Sequence, residues 1–319
     1  MIGSVLLSQS YQIYILYKIR IERMTMHALQ ILRCPLCHTA FTQDGNTLRC
    51  EKGHCFDLAK EGYVNLLPPG KGKNAHTGDE KDMLRARREF LSQGYYAPIS
   101  DGIADLLDPF LPDGDTVLCD SGCGEGWHTL RFTNALFAKG DRRILTLGFD
   151  ASKYGAACGM KNARRDGIST ALSGDAAMSV CFCPGNLFSL PVADGSVSAV
   201  ISMFAPVAVT ENLRLLRDDG YLVVAASGKE HLWEMRELLY TDVQYVEKEP
   251  VYDGFTLVET RPVRYTIDLP DRATIENLFM MTPFYYKTTA AGKARLLEKD
   301  ALSVTVDVVL RIYRKENVV

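Results

Sequence analysis

Cys34-Pro35-Leu36-Cys37 is followed after twelve residues by Cys50, and after three more by His54, giving C-x2-C-x12-C-x3-H. Two thiols in one C-x2-C turn converge on a cation, and zinc takes four such soft or borderline ligands in a tetrahedron. With no position left open for water, the metal is expected to be structural rather than catalytic. Cys55 competes with His54 for the fourth place. The expected set is Cys34, Cys37, Cys50 and His54, with Cys55 as a spare. Asp44-Gly45-Asn46 offers a hairpin turn between the two pairs. A segment this small cannot build its own hydrophobic core, so the metal would supply much of its folding free energy. The pattern reads as a zinc-ribbon-like module.

A second constellation begins at Asp120. Asp120-Ser121-Gly122-Cys123-Gly124-Glu125-Gly126 spells D-x-G-x-G-x-G between an apolar run, Thr116–Asp120, and a helical pattern, Trp127–Ala138. A glycine turn between strand and helix is where a Rossmann-like fold places a nucleotide-type ligand. Glu125 would repel a pyrophosphate, so an uncharged ribose or the zwitterionic methionyl part of S-adenosylmethionine suits the loop better. Strand Arg143–Phe149 ends at Asp150, an acid placed to accept from ribose hydroxyls. Strand Ser179–Cys183 leads to Pro184-Gly185-Asn186-Leu187, where an amide could face an adenine edge. Strand Val197–Met203 runs into Phe204-Ala205-Pro206, the candidate base-binding loop. Asp120, Asp150, Asn186 and Phe204 therefore all fall at carboxyl ends of strands, where open α/β sheets bind their ligands.

The elements that must position these residues alternate. Helices Lys153–Arg165 and 210–217 and strand Tyr221–Ala226 continue the rhythm, which implies a parallel, doubly wound sheet. Thr256–Leu269 and Ser303–Arg314 are strand-like, the second with Val304, Val306, Val308, Leu310 and Ile312 in clean alternation. They predict an antiparallel pair at the end of the sheet. Between them Ala273–Glu298 is helical but interrupted by Met281-Thr282-Pro283-Phe284-Tyr285-Tyr286. These aromatics are read as core, a stacking platform being the alternative. Upstream, Met83, Phe90 and Leu91 share a helix face, followed by a helix around Ile99–Leu107. The fold class is α/β: a Rossmann-like sheet with an antiparallel C-terminal edge and an N-terminal zinc-ribbon-like module. The expected boundaries are 1–31 for an extension, 32–67 for the ribbon, 68–78 for a linker and 79–319 for the domain that holds the sheet.

The chain has 319 residues, 47% hydrophobic and 24% charged, which excludes collagen-like, coiled-coil and wholly disordered classes. Its net charge of -3 shows no global basic balance, so an RNA partner requires a local basic patch. Residues 71–88 carry six basic and three acidic groups, a local balance of +3. Lys71, Lys73, Arg85, Arg87 and Arg88 are the candidates for phosphate contacts, and a solvated helix face is the plainer reading. Nine cysteines, none beyond Cys183, do not form the framework of a small secreted domain. They point to a reducing cytoplasm. Residues 1–20 have no basic residue before Lys18 and no A-x-A site, and are too short and polar to span a bilayer. An extension or an upstream start choice is expected for 1–23, with a membrane-surface helix as the alternative.

In order along the chain, CPLC with its distal Cys and His, FDLAKEGYVNLLP (56–68), GDEKDMLRARREFLSQGYY (78–96), LCDSGCGEG (118–126), GKEHLWEMRELLY (228–240) and MTPF (281–284) resemble the bacterial 23S rRNA guanine-N1 methyltransferases. The likeness covers about residues 32–315. It implies a Rossmann-like class I methyltransferase sheet for the 79–319 domain, an RNA-binding role for the 32–67 ribbon, zinc on Cys34, Cys37, Cys50 and His54, and S-adenosylmethionine contacts from Tyr96, Gly126, Trp127 and His231. Residue types alone do not single out Tyr96 or His231, which reads as a solvated residue at a helix start. The resemblance further implies methyl transfer to N1 of a guanine in a 23S rRNA hairpin loop by a cytoplasmic enzyme without a membrane partner, with homodimerisation an expectation. Departures from the family pattern are Gly94-Tyr95-Tyr96 in place of G-H-Y, an insertion at 166–180, and Pro184-Gly185-Asn186 in place of a small-residue run. Two rival readings are a small-molecule methyltransferase with a structural ribbon and a non-catalytic zinc-ribbon RNA-binding protein.

Overall fold

The structure is a computed structural model and describes residues 27–68, 81–242 and 250–316. Lys71 and Lys73, most of the expected linker and residues 1–26 lie outside the described residues. Among the described residues no helix is long and apolar enough to cross a membrane.

The ribbon begins with a short helix, α1 (Ala28–Ile31), and continues as three antiparallel strands, β1 (Phe41–Asp44), β2 (Thr47–Cys50) and β3 (Cys55–Asp57). Gly45, at φ 56°, turns the β1–β2 hairpin. That left-handed conformation is costly for any residue with a Cβ.

Beyond it, α2 (Lys81–Ser92) and α3 (Ala97–Leu107) precede the alternating body. That body runs β4 (Gly114–Ser121), α4 (Trp127–Lys139), β5 (Arg142–Asp150), α5 (Lys153–Arg165), β6 (Met178–Pro184), β7 (Val197–Met203), α6 (Val209–Leu215) and β8 (Leu216–Ser227). It is completed by α7 (Trp233–Leu239), β9 (Phe255–Leu269), α8 (Arg272–Met280), α9 (Phe284–Lys287), α10 (Ala290–Leu297) and β10 (Leu302–Lys315). Caps set several starts: the Ser152 hydroxyl accepts from Gly155 N at 3.0 Å on α5, and Asp271 accepts from Thr274 N at 2.8 Å on α8.

The seven-stranded sheet has the order β6-β5-β4-β7-β8-β10-β9. The first five strands are parallel, and β10 pairs antiparallel with both β8 and β9. Alternate residues of each strand feed opposite faces. Leu118, Ile201 and Val223 join a core closed by α2, α3, α4, α7 and α8, whereas Val117, Cys119 and Val224 face the other way. Met281, Phe284 and Tyr285 pack against the first core, so the aromatic interruption before α10 is mostly core, with Tyr286 exposed.

The second face changes the expected domain picture. Parallel strands need cover on both faces, yet residues 185–196 between β6 and β7 form no helix. The ribbon supplies the cover. Its Leu32, Leu48, Val64 and Leu66 share one buried cluster with Leu145, Leu147, Phe149 and Cys181 of the sheet. Backbone bonds rivet the contact: Arg33 N to Pro191 O at 2.8 Å, Ala193 N to Ile31 O at 2.9 Å, and Leu66 N to Pro184 O at 3.1 Å. Residues 28–31, placed by the sequence reading in the extension, are thus part of this packing. Helix α1 also donates from Leu29 N to Leu172 O at 2.9 Å, in the 166–180 insertion.

Candidate active site and metal centre

Each ribbon knuckle closes on a residue in the left-handed region. His38 at φ 59° follows Cys37, and Gly53 at φ 80° precedes His54. His38 N donates to Cys34 O and Gly53 N to Cys50 O, at 2.8 and 2.9 Å. The ligand atoms of Cys34, Cys37, Cys50 and His54 all lie within 4.8 Å of one another. Cys37 and Cys50 Sγ are 3.6 Å apart, and His54 Nδ1 lies 3.5 Å from Cys34 Sγ and 3.3 Å from Cys50 Sγ. Zinc–sulfur bonds of about 2.3 Å and zinc–nitrogen bonds of about 2.0 Å, spread tetrahedrally, give ligand separations of about 3.5–3.8 Å. The cluster fits that ion. Burial pushes the Cys34 thiol up to about 11, while the Thr39 hydroxyl brings Cys37 down to about 7. A divalent cation would let both act as thiolates. Cys55 is exposed and bonds only to Gly53 O, so His54 takes the fourth place.

At the carboxyl end of the sheet, Gly122, Gly124 and Gly126 have φ of 100°, 57° and 84°. The loop is crowded as well as bent. A Cβ at Gly126 would sit 2.6 Å from the Phe182 ring, and one at Gly122 would sit 2.6 Å from the Ala205 Cβ. The second contact places Phe204-Ala205-Pro206 directly against the glycine loop.

Asp150 ends β5, and its carboxylate accepts from Gly124 N at 3.2 Å and Ser152 N at 2.8 Å. It thereby ties the loop down. Asp120 is buried, accepts from the Thr129 hydroxyl at 2.5 Å, and is pushed up to about 7 by burial. Burial also raises Glu125 to about 7, against the pull of Arg87. One Glu125 oxygen accepts from Trp127 N at 3.3 Å, and the other is buried without a partner. Ser121 Oγ and Tyr96 Oη are likewise buried and unpaired. The two orphaned polar atoms of the strand-to-helix turn, Ser121 Oγ and the second Glu125 oxygen, fit a polar ligand such as S-adenosylmethionine, because an unmet buried donor or acceptor costs about 1–3 kcal/mol.

Tyr96 and His231 come together here from distant segments. Their ring centroids lie 6.2 Å apart, and His231 stacks on Phe204 at 5.8 Å with 26° between planes. Phe204 sits at φ 52° and is 46% exposed. The Asn186 Oδ1 accepts from Phe188 N at 3.2 Å within its own turn, and Leu187 borders Gly122. Arg85 pairs with Asp82 and is exposed with Arg88. Arg87 instead leans over the cofactor loop, its Nη1 3.0 Å from where a Gly124 Cβ would be.

A doubly wound parallel sheet with a reversed seventh strand between the fifth and the sixth, and a glycine loop after its first strand, defines a class I S-adenosylmethionine-dependent methyltransferase. Residues 32–74 match a zinc-ribbon family model described as RlmA, N-terminal. A Bacillus subtilis (strain 168) protein provisionally named a 23S rRNA (guanine-N1)-methyltransferase is 31% identical over 296 residues, 89% of this chain and 97% of that one. The 23S rRNA (guanine(748)-N1)-methyltransferase of Streptomyces fradiae is 31% identical over 218 residues, 68% of this chain and 70% of that one. A solved structure from Bacillus halodurans, provisionally described as a methyltransferase, aligns at 16% identity with a TM-score of 0.43, over 67% of this chain and 98% of that one. The chain belongs to the 23S rRNA (guanine-N1)-methyltransferase family.

Proposed function

We propose that this protein transfers a methyl group from S-adenosylmethionine to N1 of a guanine in a hairpin loop of 23S rRNA. The observation that carries the reading is the contact between Ala205 and Gly122, which sets the half-exposed Phe204 ring beside the cofactor loop. The bound cofactor supplies an already activated methyl group. The chain's task is then mainly orientation, which can contribute about 7–11 kcal/mol. Gly122, Gly124 and Gly126 let the backbone approach the ligand, Asp150 holds the loop and offers an acceptor to ribose, and Trp127 opens the helix behind it. N1 lies on the Watson–Crick edge, so the target guanine must be unpaired or flipped out. The open face of Phe204 suits stacking of such a base.

The ribbon, docked on the sheet rather than tethered beside it, would present RNA at a fixed distance from this site. Arg85 and Arg88 are exposed for phosphate contact. An rRNA substrate places the protein in the cytoplasm. The test is nucleoside mass spectrometry on unmodified 23S transcript incubated with the protein and S-adenosylmethionine. One new 1-methylguanosine, mapped to one loop by primer extension, is expected. Cofactor binding without RNA methylation would point instead to a small-molecule substrate. Sedimentation equilibrium of the same preparation reads whether the chain pairs with itself.

A further inference from the structure

Where the ribbon meets the 166–180 insertion, the two enclose a groove of about 610 Å³. The β1–β2 hairpin supplies Gln43 and Asn46, the turn after β3 supplies Lys60, the end of α5 supplies Arg164, and the insertion supplies Thr170 and Ser173. Among the described residues Lys60 and Arg164 are its only charged lining, and no carboxylate faces them across it. The groove is firmly built. Gly62 N donates to Ala59 O at 2.7 Å and Ala59 N to Tyr63 O at 2.8 Å, closing a turn in which Gly62 sits at φ 85°. A Cβ on Gly62 would lie 2.2 Å from Arg164 Nη2, so the guanidinium rests against the bare backbone of that turn. Arg164 Nε donates to the Thr170 hydroxyl at 3.2 Å. Both walls therefore hold Arg164 through neutral groups, and among the described residues no carboxylate pairs with it. Arg165 and Arg143 differ, being paired with Asp166 and Asp175. A cleft lined by one sign of charge concentrates ligands of the other sign, and this one does so in a chain of net charge -3.

Helix α5 ties this groove to the methyl-transfer site. Gly155 brings its first turn so close to the glycine loop that a Cβ there would meet Gly124 O at 2.3 Å. Gly159 presses the next turn onto the Phe182 ring, where a Cβ would stand 2.8 Å away. Toward the other end, Tyr63 of the ribbon packs beside Met160 and Ala163, and Lys161 Nζ lies 3.7 Å from the Glu61 carboxylate. Held at both ends, α5 acts as a strut. From Gly155 to Arg164 it spans about 14 Å at about 1.5 Å per residue, or about four steps of a stacked nucleic-acid strand at about 3.4 Å each. Lys153, Lys161 and Arg165 are exposed along it.

We infer that the groove between ribbon and insertion is a second RNA subsite, holding a nucleotide a few steps along the strand from the methylated guanine. The inference rests on the RNA methyltransferase reading and extends it. Lys60 and Arg164 bond the phosphate oxygens, and the Gln43 and Asn46 amides offer donors and acceptors to the base edge. Because α5 fixes the distance between the two subsites, occupancy of the groove selects which guanine of a loop reaches Phe204. Thr170 and Ser173 lie where this chain departs from the family pattern, so the selection belongs to this chain rather than to the shared fold.

The test measures binding of an unmodified 23S hairpin fragment by fluorescence anisotropy across a salt series, using the full chain with zinc bound. Arg164→Ala should weaken RNA binding about tenfold, roughly the loss of one charge-assisted hydrogen bond, and lower the salt slope by about one. Cofactor affinity and zinc content should not change. Arg164→Lys keeps the charge without the planar fork, so it should recover the salt slope and only part of the affinity. Because Arg164 also rests on the ribbon, Ser173→Asp is the second variant. Ser173 is exposed, and a carboxylate there should weaken RNA binding several-fold at low salt and less at high salt, with the melting midpoint unchanged. Hydroxyl-radical footprinting should show protected nucleotides a few steps from the methylated guanine that become exposed in both variants. Native RNA affinity in Ser173→Asp together with a native salt slope in Arg164→Ala would overturn the inference, while continued methylation of the fragment leaves the methyltransferase reading standing. An Arg164→Ala defect that comes with lost zinc or a lowered midpoint, beside a native Ser173→Asp, would reduce Arg164 to support of the ribbon and overturn it equally. A native chain that neither binds nor methylates the fragment would overturn the reading and the subsite with it.

Discussion

The metal centre and the cofactor pocket are assembled in opposite ways. All four metal ligands come from residues 34–54, and two knuckles on a three-stranded ribbon suffice to bring their donor atoms within 4.8 Å. The pocket draws Tyr96 from the α2–α3 junction, the glycine loop from the end of β4, Asp150 from β5, Phe204 from β7 and His231 from beyond β8. Its geometry is set by strand order and by the seventh strand, which enters between β8 and β9 and grips the His231 turn. A local site depends on its ion, whereas a distributed site depends on the sheet. The two are not independent, because the ribbon also covers the sheet face that the β6–β7 connection leaves bare.

The largest effect that would sharpen this contrast is removal of the metal. Cys50→Ser, or chelation, should abolish bound zinc and lower the melting midpoint by on the order of 10 °C, while the cofactor dissociation constant changes by no more than about threefold, within the context-dependence of a distant contact. Elemental analysis, calorimetric melts and cofactor titration check it. An unchanged midpoint would mean that the hydrophobic face, not the ion, holds the ribbon. Next, Gly126→Ala forces a Cβ toward Phe182 at φ 84°. Strain and overpacking together should weaken S-adenosylmethionine binding by about a hundredfold with the zinc content unaffected, as calorimetric titration would read.

Phe204→Ala separates the two ligands that meet in the pocket. Loss of one stacking platform should reduce methylation of RNA by about 10- to 100-fold with cofactor affinity nearly constant. An equal loss in both would place Phe204 on the cofactor instead.

A smaller effect concerns pH. Asp120 and Glu125 are raised by burial to about 7 from ordinary values of 3.8 and 4.5. The folded state therefore holds these protons more tightly than the unfolded chain. Their contribution to stability is full below about pH 4 and is lost as pH rises toward 7. Urea midpoints of Asp120→Asn with Glu125→Gln should fall less between pH 5 and 8 than those of the unaltered protein. Smallest is the basic helix: Arg88→Ala should reduce the slope of RNA affinity against salt by about one. Arg87→Ala should act more on cofactor affinity, because Arg87 lies over the glycine loop.

Much of this was legible in the chain. The C-x2-C-x12-C-x3-H spacing determined the three cysteine ligands and favoured His54 over Cys55 as the fourth, because ligands so close in sequence have few ways to meet a tetrahedral ion; the exposure of Cys55 completed the choice. Apolar runs ending in Asp120, Asp150 and Phe204, each followed by a turn or helix, determined the parallel sheet and the edge where its ligand binds. Helix Lys153–Arg165 and strand Val197–Met203 fall where the period predicts them. Residue types did not reveal Tyr96 or His231, for which the family resemblance was the signal. A buried phenol and an imidazole at a helix start carry no local sign of a shared pocket.

Three things were decided by tertiary structure. The ribbon, which the sequence reading sets off only by a linker at 68–78, packs on the sheet because parallel strands leave a face that must be covered. Arg87 turned from solvent to the cofactor loop because α2 lies across it. Asp307, one polar residue in an alternating strand, became the anchor of the His231 turn because β10 runs antiparallel beside the end of β8. Local spacing dictates what neighbouring residues do together, and contacts between residues more than seventy positions apart exist only once the chain has closed its sheet.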